Sequence, residues 1–149
     1  MIYKRQFWVQ AVHFNGALAY EKYFQALEDE KHGRWLDGYR NLKHCLGDVH
    51  GHNFLIEIEA KGPLEALDSG PEGWGTASFL VDDFELEKVI QEWGNKNLSI
   101  LPEFVEKKLR ATTEAMAEIL GIKLANKWPH LKFKITIHET NMISVQHEV

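Results

Sequence analysis

A pair of histidines at the start of an alternating segment constrains the fold of this chain more than any other feature. His50, Gly51 and His52 precede residues 54–60, whose even positions are apolar and whose odd positions carry one leucine and two acids. Such alternation predicts a half-buried β-strand over about residues 52–61. Because side chains at i and i+2 of a strand share a face, His50 and His52 are expected to point the same way.

A second alternating segment supplies a third histidine. Phe7, Val9 and Ala11 form the apolar face of a strand predicted over about residues 2–14, and His13 ends that face. Three histidines around Zn²⁺ leave the fourth position open, which is typical of catalytic zinc. The alternative is that all three are ordinary strand-end or surface histidines. The metal site is favoured over this alternative, because histidine is the commonest metal ligand.

The rest of the chain predicts an α+β domain with the order β-β-α-α-β-β. At 149 residues and 44% hydrophobic, the chain is long enough for one domain with its own core. The remaining predicted elements are a helical pattern within residues 17–46, an extended piece at 77–81, helices at 84–93 and 112–127, and strands at 131–138 and 143–147.

Charge and cysteine content narrow the class of protein. The net charge of −5, with both signs interspersed, gives no basic surface for nucleic acid, so no nucleic-acid partner is expected. No apolar run approaches the roughly 20 residues that a membrane-spanning helix needs. The single cysteine and the absence of a signal-peptide pattern predict a cytoplasmic protein.

Several motifs together resemble the 6-pyruvoyltetrahydropterin synthase and 6-carboxytetrahydropterin synthase family, over nearly the whole chain. The motifs are His13, Cys45, His50-Gly51-His52-Asn53, Leu80-Val81-Asp82-Asp83-Phe84, Thr112-Thr113-Glu114 and Glu139-Thr140. The resemblance implies the tunnelling fold (T-fold), a four-stranded antiparallel sheet with two helices on one face. It also implies a homo-oligomer, a trimer or hexamer. The chain is then a single domain, 1–149, with an insertion at about 17–44.

The resemblance also implies a site and a substrate. Zn²⁺ is held by His13, His50 and His52, and the substrate is 7,8-dihydroneopterin triphosphate or a related dihydropterin. Glu139 anchors the pterin ring, since a carboxylate accepts two hydrogen bonds side by side. Thr112 and Thr113 line the same pocket. Taken without the resemblance, Glu139 fits an ordinary surface acid, and the threonines fit helix capping alone.

Cys45 is the expected catalytic base and nucleophile, because a nearby metal and imidazoles favour the reactive thiolate. The alternative is an inert buried cysteine. His44, Asp48 and His138 are candidates to assist it.

One departure from the family pattern leaves the function open. The Asp-His pair that assists the cysteine is replaced by Gly94-Asn95, and an asparagine carries no proton at neutral pH. Three functions remain: a zinc-dependent pterin synthase or lyase, an inactive homologue that binds zinc and a pterin or purine, and a zinc hydrolase of another substrate. The sequence does not distinguish a biopterin, folate or queuosine pathway.

Overall fold

In the part of the chain that the structure describes, four antiparallel strands form one sheet, and strands that follow one another in the chain are neighbours in the sheet. The computed structural model describes residues 1–14, 25, 28, 31, 50–63 and 80–149. The strand bounds confirm the four predicted strands, with ends that differ by one or two residues. They are β1 (Ile2–His13), β2 (His50–Lys61), β3 (Lys132–Thr140) and β4 (Ile143–Glu148).

In the described part of the chain between β2 and β3 there are three helices. Two of them, α1 (Asp83–Gln91) and α3 (Thr113–Lys127), are the predicted helices. The short α2 (Pro102–Val105) follows a 3₁₀ turn at Leu98–Ile100, and the sequence patterns predicted neither. Among the described residues, no helix has both the length and the apolar character needed to cross a membrane.

Two predicted elements fall partly outside the described residues. Residues 25, 28 and 31 are helical, but the rest of the predicted insertion at about 17–44 is not described. Of the extended piece predicted at 77–81, only Leu80 and Val81 are described, and they lie buried in a bend.

The hydrophobic core occupies one face of the sheet. It uses odd positions of β1 and β3 and even positions of β2, as the alternation predicts. Helix α3 packs on β3 and β4 of this face, and α1 contacts β1. Fully or almost fully buried apolar strand residues are Phe7, Val9, Ala11, Phe54, Ile56, Ile58, Ala60, Phe133, Ile135 and Ile137. The same face therefore carries His13, His50 and His52 at the end of the sheet.

Candidate metal centre

The register of β1 and β2 brings the three histidines together. His13 lies directly opposite His50, and His52 lies opposite Ala11. The ring centroids are 4.5 Å apart for His13 and His50, 4.9 Å for His50 and His52, and 5.0 Å for His13 and His52. The three imidazoles thus form one cluster at the end of the buried face.

His13 is held in one tautomer by the backbone before α3. Its Nδ1 lies 2.6 Å from the carbonyl oxygen of Ala111. Because a carbonyl only accepts, Nδ1 carries the proton, and Nε2 of the neutral ring keeps its lone pair. A histidine that ligates a metal almost always donates its other ring N–H in this way.

The chain after His13 is fixed as well. The Ser99 hydroxyl, fully buried, donates to the Phe14 carbonyl oxygen at 2.8 Å and accepts from the Phe14 N–H at 2.9 Å. These two bonds join the 3₁₀ turn to the end of β1. They therefore hold the backbone next to His13 in place.

Burial favours the neutral form of His13. Loss of solvent is the largest effect on its pKa and lowers it below the ordinary value. The hydrogen bond to Ala111 and the charge of Glu139 act in the opposite direction, while His50 and His52 lower the pKa further. A neutral imidazole is the form that binds a metal ion.

Glu139 joins the histidines, although the resemblance implies for it only a contact with the substrate ring. Its Oε1 lies 3.0 Å from Nε2 of His52 and 3.8 Å from Nε2 of His13. The other carboxylate oxygen, Oε2, accepts a hydrogen bond of 2.9 Å from the Thr113 hydroxyl. Each of the four residues offers one donor atom, and these atoms all lie within 4.8 Å of one another.

The cluster fits a metal ion. Nε2 of His13 and Nε2 of His52 are buried, and neither makes a hydrogen bond with any described residue. Buried polar atoms without partners are rare, and they point to a missing water or ion. Imidazole nitrogens and a carboxylate oxygen are also the donor types that Zn²⁺ accepts. The group of His13, His50, His52 and Glu139 could therefore hold a metal ion.

Comparison with solved structures identifies the fold. The 6-pyruvoyl tetrahydropterin synthase of Caenorhabditis elegans superposes with a TM-score of 0.61 at 21% identity, over 100% of this chain and 95% of that one. The chain has the fold of a 6-pyruvoyl tetrahydropterin synthase. The Plasmodium vivax synthase matches with a TM-score of 0.50 at 12% identity, over 100% of this chain and 98% of that one. No family model and no curated protein sequence matches the chain.

This synthase fold confirms the architecture expected from the resemblance. The four-stranded antiparallel sheet, the two predicted helices on its buried face and the order β-β-α-α-β-β are all present. The short helix α2 and the 3₁₀ turn are additions to that expectation. The fold alone assigns no role to an individual residue. What a residue of the site can do depends on the geometry of the histidine cluster.

The two threonines at the start of α3 have different roles in the structure. Thr112 is the N-cap, and its hydroxyl oxygen accepts a 3.3 Å hydrogen bond from the Ala115 N–H. Thr113 is the first residue of the helix, is buried, and holds the carboxylate of Glu139. Capping therefore accounts for Thr112, whereas Thr113 contacts the cluster.

Replacing Thr112 by alanine is expected to lower the free energy of unfolding by about 1 kcal/mol, because the Ala115 N–H loses its acceptor. Urea denaturation of the metal-free protein measures the change. Thr112→Ser keeps the hydroxyl and is the matched control. Equal losses in the two variants would contradict the capping role.

Gly94 and Asn95 lie in the turn that follows α1, and Asn95 bonds the edge of β1. Asn95 has a φ of 57°, a left-handed conformation that asparagine tolerates better than most residues. Its N–H donates to the Gln10 carbonyl oxygen at 2.6 Å, and the Val12 N–H donates to the Lys96 carbonyl oxygen at 3.0 Å. This turn gives a structural reason for asparagine where the resemblance expects a histidine.

Of the four candidates for proton transfer, His138 is the one that lies among the described residues. Cys45, His44 and Asp48 lie outside the described residues. His138 lies on the face of the sheet opposite the core, where its Nε2 is 2.7 Å from Oε2 of Glu57. Among the described residues, Glu139 is the acid that joins the histidine cluster.

Proposed function

We propose that the protein is a zinc-dependent pterin synthase or lyase of the 6-pyruvoyltetrahydropterin or 6-carboxytetrahydropterin synthase type. Its substrate is 7,8-dihydroneopterin triphosphate or a related dihydropterin. The observation that carries the proposal is the convergence of His13, His50, His52 and Glu139 on a synthase fold.

Each residue has a defined task in this proposal. His13, His50 and His52 hold Zn²⁺, which when bound acts as a Lewis acid toward the oxygens of the pterin side chain. Glu139, held by Thr113, accepts hydrogen bonds from the amino group and ring N–H of the pterin. Cys45 takes the proton that leaves the side chain, and Thr112 lines the same pocket as Thr113 near the helix start.

The assembly and location follow the same resemblance. The protein is a cytoplasmic homo-oligomer, a trimer or hexamer, with its pockets at subunit interfaces. Its partner is the small pterin substrate, without nucleic acid or membrane. The net charge of −5, with both signs interspersed, is what favours a protein without a nucleic-acid partner.

A second candidate is a homologue that binds zinc and a pterin or purine without turnover. The turn at Gly94 and Asn95 favours this second candidate, because neither residue carries a titratable side chain. The N–H of Asn95 instead donates to the Gln10 carbonyl oxygen of β1. This candidate keeps the metal cluster and the ring-binding carboxylate but lacks the proton relay.

One incubation separates the two candidates. Zinc-loaded protein is mixed with 7,8-dihydroneopterin triphosphate, and the products are identified by mass spectrometry. The synthase proposal predicts a new product whose formation falls by at least about a hundredfold in Cys45→Ala, in keeping with the 10²–10⁴ typical of a lost acid or base. Metal-free protein is the second control. Substrate that binds but stays unchanged would favour the binding homologue, and turnover unaffected in Cys45→Ala would contradict the role of Cys45.

A further inference from the structure

We propose that Glu139 is an exchangeable fourth ligand of the metal centre, bound when the pocket is empty and released when a pterin ring takes its carboxylate. This inference rests on the proposed function and deepens it, because it gives one side chain two alternative partners. The metal and the substrate ring then compete for the same oxygen atom.

The position of Glu139 near the end of β3 directs its side chain towards the histidines. It continues the buried face of β3 after Ile135 and Ile137, beyond the last β2–β3 pair of Leu55 and His138. A register irregularity follows in the pairing with β4, between His138 and Thr140. Glu139 thus lies on the side of the sheet that carries Phe54 and His52, where the β2–β3 ladder has ended.

The two oxygens of the Glu139 carboxylate have different partners, because Thr113 binds one of them. Its hydroxyl, on a residue only 3% exposed, donates to Oε2 and so fixes that oxygen. Oε1 is left pointing at the cluster, 3.0 Å from Nε2 of His52. The side chain of Glu139 is itself only 20% exposed, so its oxygens have limited access to water.

The lone pairs of His13 Nε2 and Glu139 Oε1 face each other. The Ala111 carbonyl fixes the His13 proton on Nδ1, so Nε2 of His13 presents a lone pair, 3.8 Å from Oε1 of Glu139. Nε2 of His52 lies closer to that oxygen but makes no hydrogen bond to it. Acceptor atoms gathered in a buried place are stabilised by a cation between them, and carboxylate oxygen is a normal zinc ligand.

The same oxygen is needed for ring recognition. A carboxylate that accepts from the amino group and the ring N–H of a pterin uses both of its oxygens side by side. Oε1 cannot lie along that edge of the ring and against the histidines at once. Glu139 therefore turns from the cluster to the ring as the pterin enters, with Thr113 as the pivot, and a coordination position opens only in the occupied pocket.

The test measures metal binding directly, without turnover. Zn²⁺ affinity is obtained by competition with a chelating dye, and the visible absorption of bound Co²⁺ reports the number and kind of ligands. Glu139→Gln keeps the size of the side chain but is a much poorer ligand. We expect its Zn²⁺ affinity to fall by about tenfold or more, and its Co²⁺ spectrum to differ from wild type when no pterin is present.

A measurement on the wild-type protein gives independent support. Adding 6-methyl-7,8-dihydropterin, which carries the ring without side-chain oxygens that could bind the metal, is expected to change the Co²⁺ spectrum, because Glu139 leaves the ion. Ring fluorescence shows that the compound has bound. Bound compound with an unchanged spectrum would overturn the inference even if Glu139→Gln fails to fold.

The control and the outcomes separate this inference from the proposed function. Glu57→Gln removes the same charge from a carboxylate that also contacts a histidine, but on the opposite face of the sheet. An equal fall in affinity in Glu57→Gln would assign the effect to net charge and overturn the inference. Identical metal binding by wild type and Glu139→Gln would overturn the inference alone, whereas a wild-type protein that binds no Zn²⁺ would overturn both.

Discussion

Replacing His50 by alanine is expected to lower the affinity for Zn²⁺ by more than about a hundredfold. Loss of a residue that merely orients a ligand typically costs ten- to a hundredfold in metal affinity, and His50 is one of the ligands proposed here. Its side chain is exposed at the end of β2, so its truncation leaves the core intact. Competition with a chelating dye measures the affinity, and circular dichroism checks the fold.

His138→Ala is the matched control for this prediction. It removes a histidine from the same sheet, but one whose ring pairs with Glu57 on the opposite face. We expect its Zn²⁺ affinity to stay within about twofold of wild type, because it removes neither a ligand nor a group that orients one. If His50→Ala and His138→Ala bind Zn²⁺ equally well, the histidine cluster is not the metal centre.

Replacing Phe54 by alanine is expected to lower the free energy of unfolding by about 3–5 kcal/mol, the usual cost of truncating a fully buried phenylalanine. Phe54 has no solvent exposure and lies on the central strand β2 opposite Val9. Its ring centroid is 5.7 Å from that of His13 and 5.3 Å from that of His52. The cavity would therefore open directly beneath the histidines. Urea denaturation of the metal-free protein measures the loss.

Trp8→Ala provides the comparison for Phe54. Trp8 is a larger aromatic residue on the neighbouring strand, but it is 67% exposed on the outer face of the sheet. Its removal is expected to change stability by less than about 1 kcal/mol. Similar losses in the two variants would show that burial on the core face does not determine stability here.

The period of the strands made the histidine cluster predictable. Alternation placed His13 on the face of Phe7 and Val9, and it placed His52 on the face of Phe54. Since a strand has a period of two, that assignment holds without knowledge of the register. The register itself, which sets His13 opposite His50, depends on how the two strands pair and is not visible in either segment alone.

Other features depend on contacts that the sequence does not display. Glu139 continues the odd face of β3, so its direction could have been predicted, but its closeness to His52 depends on the end of the β2–β3 ladder. The left-handed backbone of Asn95 depends on its bond to β1. Helix α2 has four residues, too few to show a helical period.

The turn after α1 also covers part of one edge of the sheet. A strand at the edge of a sheet presents unpaired N–H and C=O groups that invite another β-strand to add to it. In β1, the Gln10 carbonyl and the Val12 N–H are already bonded to Asn95 and Lys96. A foreign strand that adds along β1 must therefore stop before Gln10. At the histidine end of β1, the strand edge is therefore protected from edge-to-edge aggregation by Asn95 and Lys96, and Asn95 stands where the resemblance expects a histidine.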